Sequence, residues 1–187
     1  PLGGLIRLTQ QAVLVTAIAE GIGALILSVR FAFEVPLPRA LWMGLFHAVS
    51  AFNNAGFDII GGYRSLVPYN QDPVVLLTVA TLIIVGGISF TVVLNVAQRG
   101  AYRYLLLDTK LVLLASAMLL LAGTVAYLII EYANPATLAP MPFLTKVLNA
   151  FFMSTTPRTA GYNAIDISQL GQGILLLTIA LMYIGAG

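Results

Sequence analysis

The sequence predicts an all-α integral membrane protein in which one unit is used twice: a transmembrane helix, a re-entrant half-helix with an extended loop, and a second transmembrane helix. Three observations lead there. First, 59% of the 187 residues are hydrophobic and only 9% charged, with a mean hydropathy of +0.96, whereas a soluble domain carries roughly 25% charged residues. Second, the stretch Phe46-His47-Ala48-Val49-Ser50-Ala51-Phe52-Asn53-Asn54-Ala55-Gly56-Phe57-Asp58 is too short and too polar at one end to cross a bilayer, yet it lies between two segments that can. Third, the stretch returns 105 positions later, pairing Phe46 with Phe151, Ser50 with Thr155, Ala55 with Ala160, Gly56 with Gly161 and Phe57 with Tyr162.

Charge and cysteine content narrow the function. The net charge is +2, and the nine Lys and Arg are dispersed, so a pI near 9.1 does not indicate nucleic acid. Absence of cysteine removes disulfides, thiolate metal sites and Cys nucleophiles together. The chain begins at Pro1 without a basic region ahead of a cleavable apolar stretch, and it reads as the middle of a longer chain.

The first span is expected over Thr9 to Val29, about 20 residues and so roughly the 30 Å of a hydrocarbon core. Glu20 lies inside it and must face protein or water, because a carboxyl facing lipid costs several kcal/mol. Arg30 ends the span. Pro36 and Pro38 exclude helix from a linker over Phe31 to Pro38, and Arg39 to Phe52 forms an apolar helix about 21 Å long, short of a crossing. Asn53 to Asp72 is polar and rich in turn formers, and it cannot sit exposed in lipid.

Pro73 to Ala97 reads as a second full span, with Pro73 suited to a first helical turn and Gly86-Gly87 permitting close approach or bending. Gln98 to Lys110 holds Arg99, Arg103 and Lys110 against Asp108 and belongs in the cytoplasm by the positive-inside rule, in agreement with Arg7. Thr109 to Ile130 is the third span. A loop with Pro135, Pro140 and Pro142 follows. Phe143 to Thr155 repeats the half-helix and Thr156 to Gly171 the polar segment, and Gln172 opens a fourth span that stops at Gly187 in mid-element. If either half-helix crossed fully, the basic linker and Arg7 would fall on opposite sides. The expected organisation is therefore residues 1–98 as one repeat, 99–110 as a cytoplasmic linker and 111–187 as the second repeat.

Such loops suit one kind of chemistry. A dehydrated cation inside a bilayer recovers its lost water ligands from fixed oxygens, and a row of extended residues supplies backbone carbonyls at regular spacing. A central Gly tolerates the unusual backbone angles this needs. The carbonyls of Asn54, Ala55 and Gly56, and of Thr159, Ala160 and Gly161, are the candidate ion ligands, with the Thr159 hydroxyl and Asn54 amide available at the inner end. Each half-helix points a partial negative charge of about half an electron toward the bilayer centre. Phe57 and Tyr162 are expected to pack behind the loops as aromatic struts, with Asn53 and Arg158 as further supports. An Asn-Asn-Ala-Gly that merely ends a helix is the plain alternative; its recurrence after an equal half-helix argues against it.

These two motifs, with Thr156-Pro157-Arg158-Thr159-Ala160-Gly161-Tyr162-Asn163 and Ile184-Gly185-Ala186-Gly187, resemble the membrane subunit of bacterial Ktr/Trk potassium transporters over nearly the whole chain. The resemblance implies a multi-pass protein of the bacterial cell membrane that takes up potassium through a selectivity filter, with K⁺ as the transported ion at the filter and no organic cofactor. It implies four such units around one pore, these being the second and third, with Gly185, Ala186 and Gly187 approaching a gating loop. Its further implications are a homodimer of pore subunits, a cytosolic nucleotide-binding regulatory ring, and Na⁺ as an activator. Tyr162 departs from the family's usual Phe.

Other readings have less to stand on. A Na⁺-permeable or less selective relative is disfavoured by the two filter glycines. An intramembrane enzyme needs a convergent nucleophile and base, and the sole histidine, His47, and the isolated Glu20 offer none; His47 reads as a packed neutral side chain. A non-transporting scaffold has no use for polar half-helix ends. Arg158 is expected to anchor its loop to a carboxylate or helix end, and Asp58, Asp72 and Asp166 read as solvated loop charges able to raise local cation concentration only weakly.

Overall fold

The computed structural model describes residues 2–185, with side chains from Ile6 onward. The described residues form seven α-helices and no strand: α1 Leu2–Phe31, α2 Leu37–Phe52, α3 Pro73–Gly87, α4 Phe90–Arg99, α5 Leu107–Glu131, α6 Phe143–Thr155 and α7 Gln172–Ile184. Single turns of tighter helix cover Val67–Tyr69, Tyr102–Tyr104 and Ile167–Gln169.

Among the described residues two unbroken helices are long and apolar enough to cross a membrane, Ile6–Phe31 of α1 and α5. Both extend past the expected ends, because no helix breaker interrupts them. Their exposed side chains recur at three- and four-residue spacing, as in Leu111, Leu114, Met118, Leu121, Val125 and Ile129 of α5, which is the stripe a lipid-facing helix presents. Packed on α1, α2 is a 16-residue helix of roughly 24 Å. It starts two residues earlier than expected: Pro36 stands just outside and Pro38 in the first turn, where a missing N–H leaves no hydrogen bond unmade. Small residues line its buried face, and at Gly44 the two backbones nearly touch. A Cβ there would lie 2.6 Å from Ser28 N and 2.7 Å from Ala24 O.

The second span is not one helix. Helix α3 stops at Gly87 after 15 residues, Ile88 and Ser89 are extended, and α4 leaves at 100° to α3. The apolar run over Pro73 to Ala97 conceals this break. Gly86 explains its position: it lies against the end of α2, so closely that a Cβ would come 1.7 Å from Phe52 O, and two consecutive glycines give the helix little reason to continue. The linker is consequently shorter than expected, since α4 runs to Arg99 and α5 starts at Leu107.

Both hairpins are closed by polar staples at the ends remote from the basic linker. Arg30 at the end of α1 pairs with Glu34 and with Asp72, which caps α3 by accepting from Val74 N (2.9 Å) and Val75 N (3.2 Å), while Tyr69 Oη donates to Glu34 Oε2 at 2.9 Å. In the second hairpin Glu131, 1% exposed, accepts from Thr137 Oγ1 and Asn134 Nδ2 at 2.7 Å and from Gly171 N, just ahead of α7, at 2.9 Å. Truncation strands three donors. Glu131→Ala is expected to lower stability by about 2–4 kcal/mol and Glu131→Gln by less; equal thermal midpoints for the two variants in detergent would contradict this.

The halves join where α3 packs on α6. Buried Asn149 of α6 donates from Nδ2 to Asn70 O at 2.6 Å and to Thr145 O at 2.9 Å, Leu66 N donates to Asn163 O at 2.9 Å, and Asn163 N donates to Ser65 Oγ at 3.0 Å.

Candidate ion-binding loops

Both half-helices end in the same backbone pattern. Asn54 and Gly56 have φ of 51° and 70°, Thr159 and Gly161 have 65° and 76°, and Ala55 and Ala160 between them keep negative φ. Asn and Gly tolerate the left-handed region; Thr does not, so Thr159 is held there by its surroundings.

Hydrogen bonds hold each loop from behind. Ala55 N donates to Ser50 O at 2.8 Å and Ala160 N to Thr156 O at 3.1 Å. Ser50 Oγ donates to Phe57 O at 2.8 Å, and Thr156 Oγ1 to Tyr162 O at 2.5 Å. The sequence repeat pairs Ser50 with Thr155, but the matching contact comes from the next residue, because Thr155 Oγ1 turns back to Phe151 O at 2.9 Å. In contrast to these engaged carbonyls, those of Asn54, Ala55, Gly56, Thr159, Ala160 and Gly161 accept no hydrogen bond from the described residues. Six main-chain oxygens are thus left without an internal donor, and such groups at membrane depth persist only where they face a polar path.

The two loops touch. A Cβ on Gly56 would lie 2.2 Å from Ala160 O, and one on Gly161 would lie 3.6 Å from Gly56 Cα. Tyr162 is fully buried, its ring centroid 6.3 Å from that of His47, and its Oη donates to Phe57 O at 2.8 Å. It is a strut, and it braces the other repeat's loop as well as its own. Phe57 is different: its side chain is 70% exposed, so the expected strut there is made by its carbonyl alone. Removing the Tyr162 hydroxyl leaves Phe57 O with Ser50 alone. Tyr162→Phe is therefore expected to cost about 1 kcal/mol and to lower potassium-over-sodium discrimination in flux assays, while an unaltered preference would deny the brace a role.

The other singled-out residues divide clearly. Asn53 Nδ2 donates to Glu20 Oε1 at 2.8 Å and to Val49 O at 2.9 Å, so the intramembrane carboxyl is satisfied by the end of α2. His47 is fully buried, donates from Nδ1 to Met43 O at 2.7 Å, and has no hydrogen-bond partner at Nε2 among the described residues, the arrangement of a packed neutral ring. Arg158 anchors its loop, although to a mid-helix carbonyl and not to a carboxylate or helix end: Nη2 donates to Ser116 O of α5 at 2.8 Å. Thr159 Oγ1 donates to Arg158 O at 2.6 Å, which leaves its oxygen lone pairs available, and Asn54 Oδ1 is buried without a hydrogen-bond partner. Asp58, Asp72 and Asp166 cap turns or a helix start. Gly185 ends α7 against Arg158, and Ala186 and Gly187 lie outside the described residues.

Sequence reasoning missed Asn149, Ser65 and Thr156 as supports. Their partners are backbone atoms, in two cases far along the chain, and a backbone acceptor has no sequence signature.

A repeated half-helix whose glycine-bearing loop, begun by a turn where extended backbone was expected, leaves carbonyls without a donor among the described residues, set among apolar spans, defines an integral membrane protein of the cation-transport class. The chain belongs to the TrkH family, described as cation transport protein, which it matches over residues 5–187. It is 39% identical over its full length to the Ktr system potassium uptake protein B of Bacillus subtilis and 40% identical over 97% of its length to that of Vibrio alginolyticus. Similarity to the potassium/sodium uptake protein NtpJ of Enterococcus hirae is 39% over 98% of the chain. The chain spans 41%, 40% and 40% of these relatives.

Proposed function

We propose that this chain supplies two of the four walls of a potassium-selective filter, and that the protein containing it takes up potassium across the bacterial cell membrane. The observation that carries this reading is the pair of matching loops in which three carbonyls each lack a donor among the described residues while the flanking carbonyls of Phe57 and Tyr162 are engaged. Asn54, Ala55 and Gly56, with Thr159, Ala160 and Gly161, are the ion ligands on this reading, and Asn53, Phe57, Arg158 and Tyr162 hold them. Residues 1–98 and 111–187 act as the second and third units, joined by the 99–110 linker on the cytoplasmic side. The name of a Ktr system relative fits a multi-component system, and the partners proposed here are a second pore subunit and a cytosolic nucleotide-binding ring, with Na⁺ as activator.

Rubidium or potassium uptake by cells lacking their own uptake systems tests the reading. Gly161→Ser should reduce uptake and the preference for potassium over sodium together; full uptake with unchanged preference would overturn it. The potassium/sodium name of the Enterococcus relative makes sodium the competitor to measure.

A further inference from the structure

Helix α4 leaves α3 at 100°, and so lies across the direction of the spans. Its sequence sorts cleanly around the axis: Phe90, Val92, Val93, Leu94, Val96 and Ala97 form one face, and Thr91, Asn95, Gln98 and Arg99 the other. Val92 is buried and Phe90, Val93, Leu94 and Val96 are half-buried, so this face packs on the protein, while Thr91, Ala97, Gln98 and Arg99 are exposed. Gly100, at φ 66°, then turns the chain into Tyr102–Tyr104 and back to α5.

Three cations gather on this turn. Arg99 Nη1 donates to Tyr104 O at 3.0 Å, Lys110 Nζ donates to Arg103 O at 3.1 Å, and Leu106 N donates to Asn95 Oδ1 at 3.2 Å, which fixes the turn against α4. The Arg103 guanidinium sits 4.5 Å above the Tyr104 ring and the Lys110 ammonium 5.6 Å from that of Tyr102. Tyr102 and Tyr104 are themselves more than half exposed. Among the described residues none of the three cations has a carboxylate within 4.0 Å, whereas Arg30 at the opposite end of α1 has two. The cations are thus positioned by backbone carbonyls and rings; Asp108 of the same turn makes no ion pair with them within 4.0 Å, and the turn keeps an excess of positive charge.

We infer that the turn 99–110 is a binding site for an anionic phospholipid, with Arg99, Arg103 and Lys110 around the headgroup phosphate, Tyr102 and Tyr104 at headgroup level, and the exposed Leu106 and Leu107 beside the acyl chains. Basic pockets at helix ends on the cytoplasmic side take such headgroups, and each cation near an anionic surface contributes about fivefold in affinity.

The complete transporter, purified in detergent, is mixed with phosphatidylglycerol and phosphatidylcholine, and the lipid retained is counted by native mass spectrometry. Phosphatidylglycerol should be retained preferentially, and rising salt should weaken the preference. Arg99→Gln, Arg103→Gln and Lys110→Gln should each reduce it about fivefold, while Arg39→Gln, at the start of α2, leaves it intact. Arg99→Lys should preserve it. The salt series on the unaltered protein needs no variant and guards against a misfolded one. The inference is overturned by no headgroup preference in the unaltered protein, by a preference that survives all three neutral substitutions, or by inorganic phosphate displacing the lipid completely. It is also overturned if those substitutions release a cytosolic subunit and leave lipid retention unchanged.

Discussion

A Gly56→Ala variant is expected to lose potassium transport, while Gly161→Ala keeps a measurable part of it. Both positions have positive φ, 70° and 76°, so either alanine carries the left-handed penalty of about 1–2 kcal/mol. What differs is the space each new methyl meets. At Gly56 it would lie 2.2 Å from Ala160 O and 3.0 Å from Gly161 Cα, all backbone; at Gly161 the nearest atom is Gly56 Cα at an ordinary 3.6 Å. The first substitution therefore displaces a candidate ligand of the other loop as well as straining its own. An overlap with fixed backbone adds about 1–3 kcal/mol, which makes the gap between the variants roughly fivefold or more in rate. Initial uptake rates at matched membrane expression measure it, and equal rates for the two alanines would show that the loops do not meet as described.

The second large effect belongs to Gly86. Gly86→Val is expected to prevent assembly of the first hairpin, because even a Cβ at this position comes 1.7 Å from Phe52 O and 2.7 Å from Phe52 C. Neither backbone has a side chain to swing aside. Helices α2 and α3 must separate at the point where α2 hands the chain to Asn53 and Asn54, at a cost of about 3 kcal/mol or more. The variant should show a markedly lowered thermal midpoint in detergent and no uptake. Gly21→Val, at a position with nothing within 4 Å, is the control and should behave as the unaltered protein; a normal midpoint for Gly86→Val would refute the close packing.

Local signals were the readable ones. The second half-helix, Phe143–Thr155, and the start of α7 at Gln172 lie where expected, because prolines and a change from apolar to polar composition mark them. The paired Ala-Gly-aromatic motif located both loops without any knowledge of their contacts. Continuous hydropathy, by contrast, hid the break after Gly87: apolar residues on both sides look the same whether the helix continues or turns by 100°. What makes the glycines a break is the arrival of Phe52 O, a tertiary fact. Tyr162 was visible as the repeat's second aromatic, expected to pack behind its loop, and as a departure from the family's Phe. Its hydroxyl gains meaning from Phe57 O, 105 residues away, and the anchor of Arg158 on Ser116 O was equally out of reach because one helical carbonyl looks like any other.

That long hydrogen bond also sets an order of events during synthesis. Phe57 leaves the ribosome first, and Tyr162, which completes its support, follows 105 residues later, roughly 5–20 s at usual elongation rates. The earlier loop must therefore enter the bilayer with one of its two clasps missing and wait for the later one. Maturation of the loop pair is a late act of biogenesis, performed between repeats and not within either.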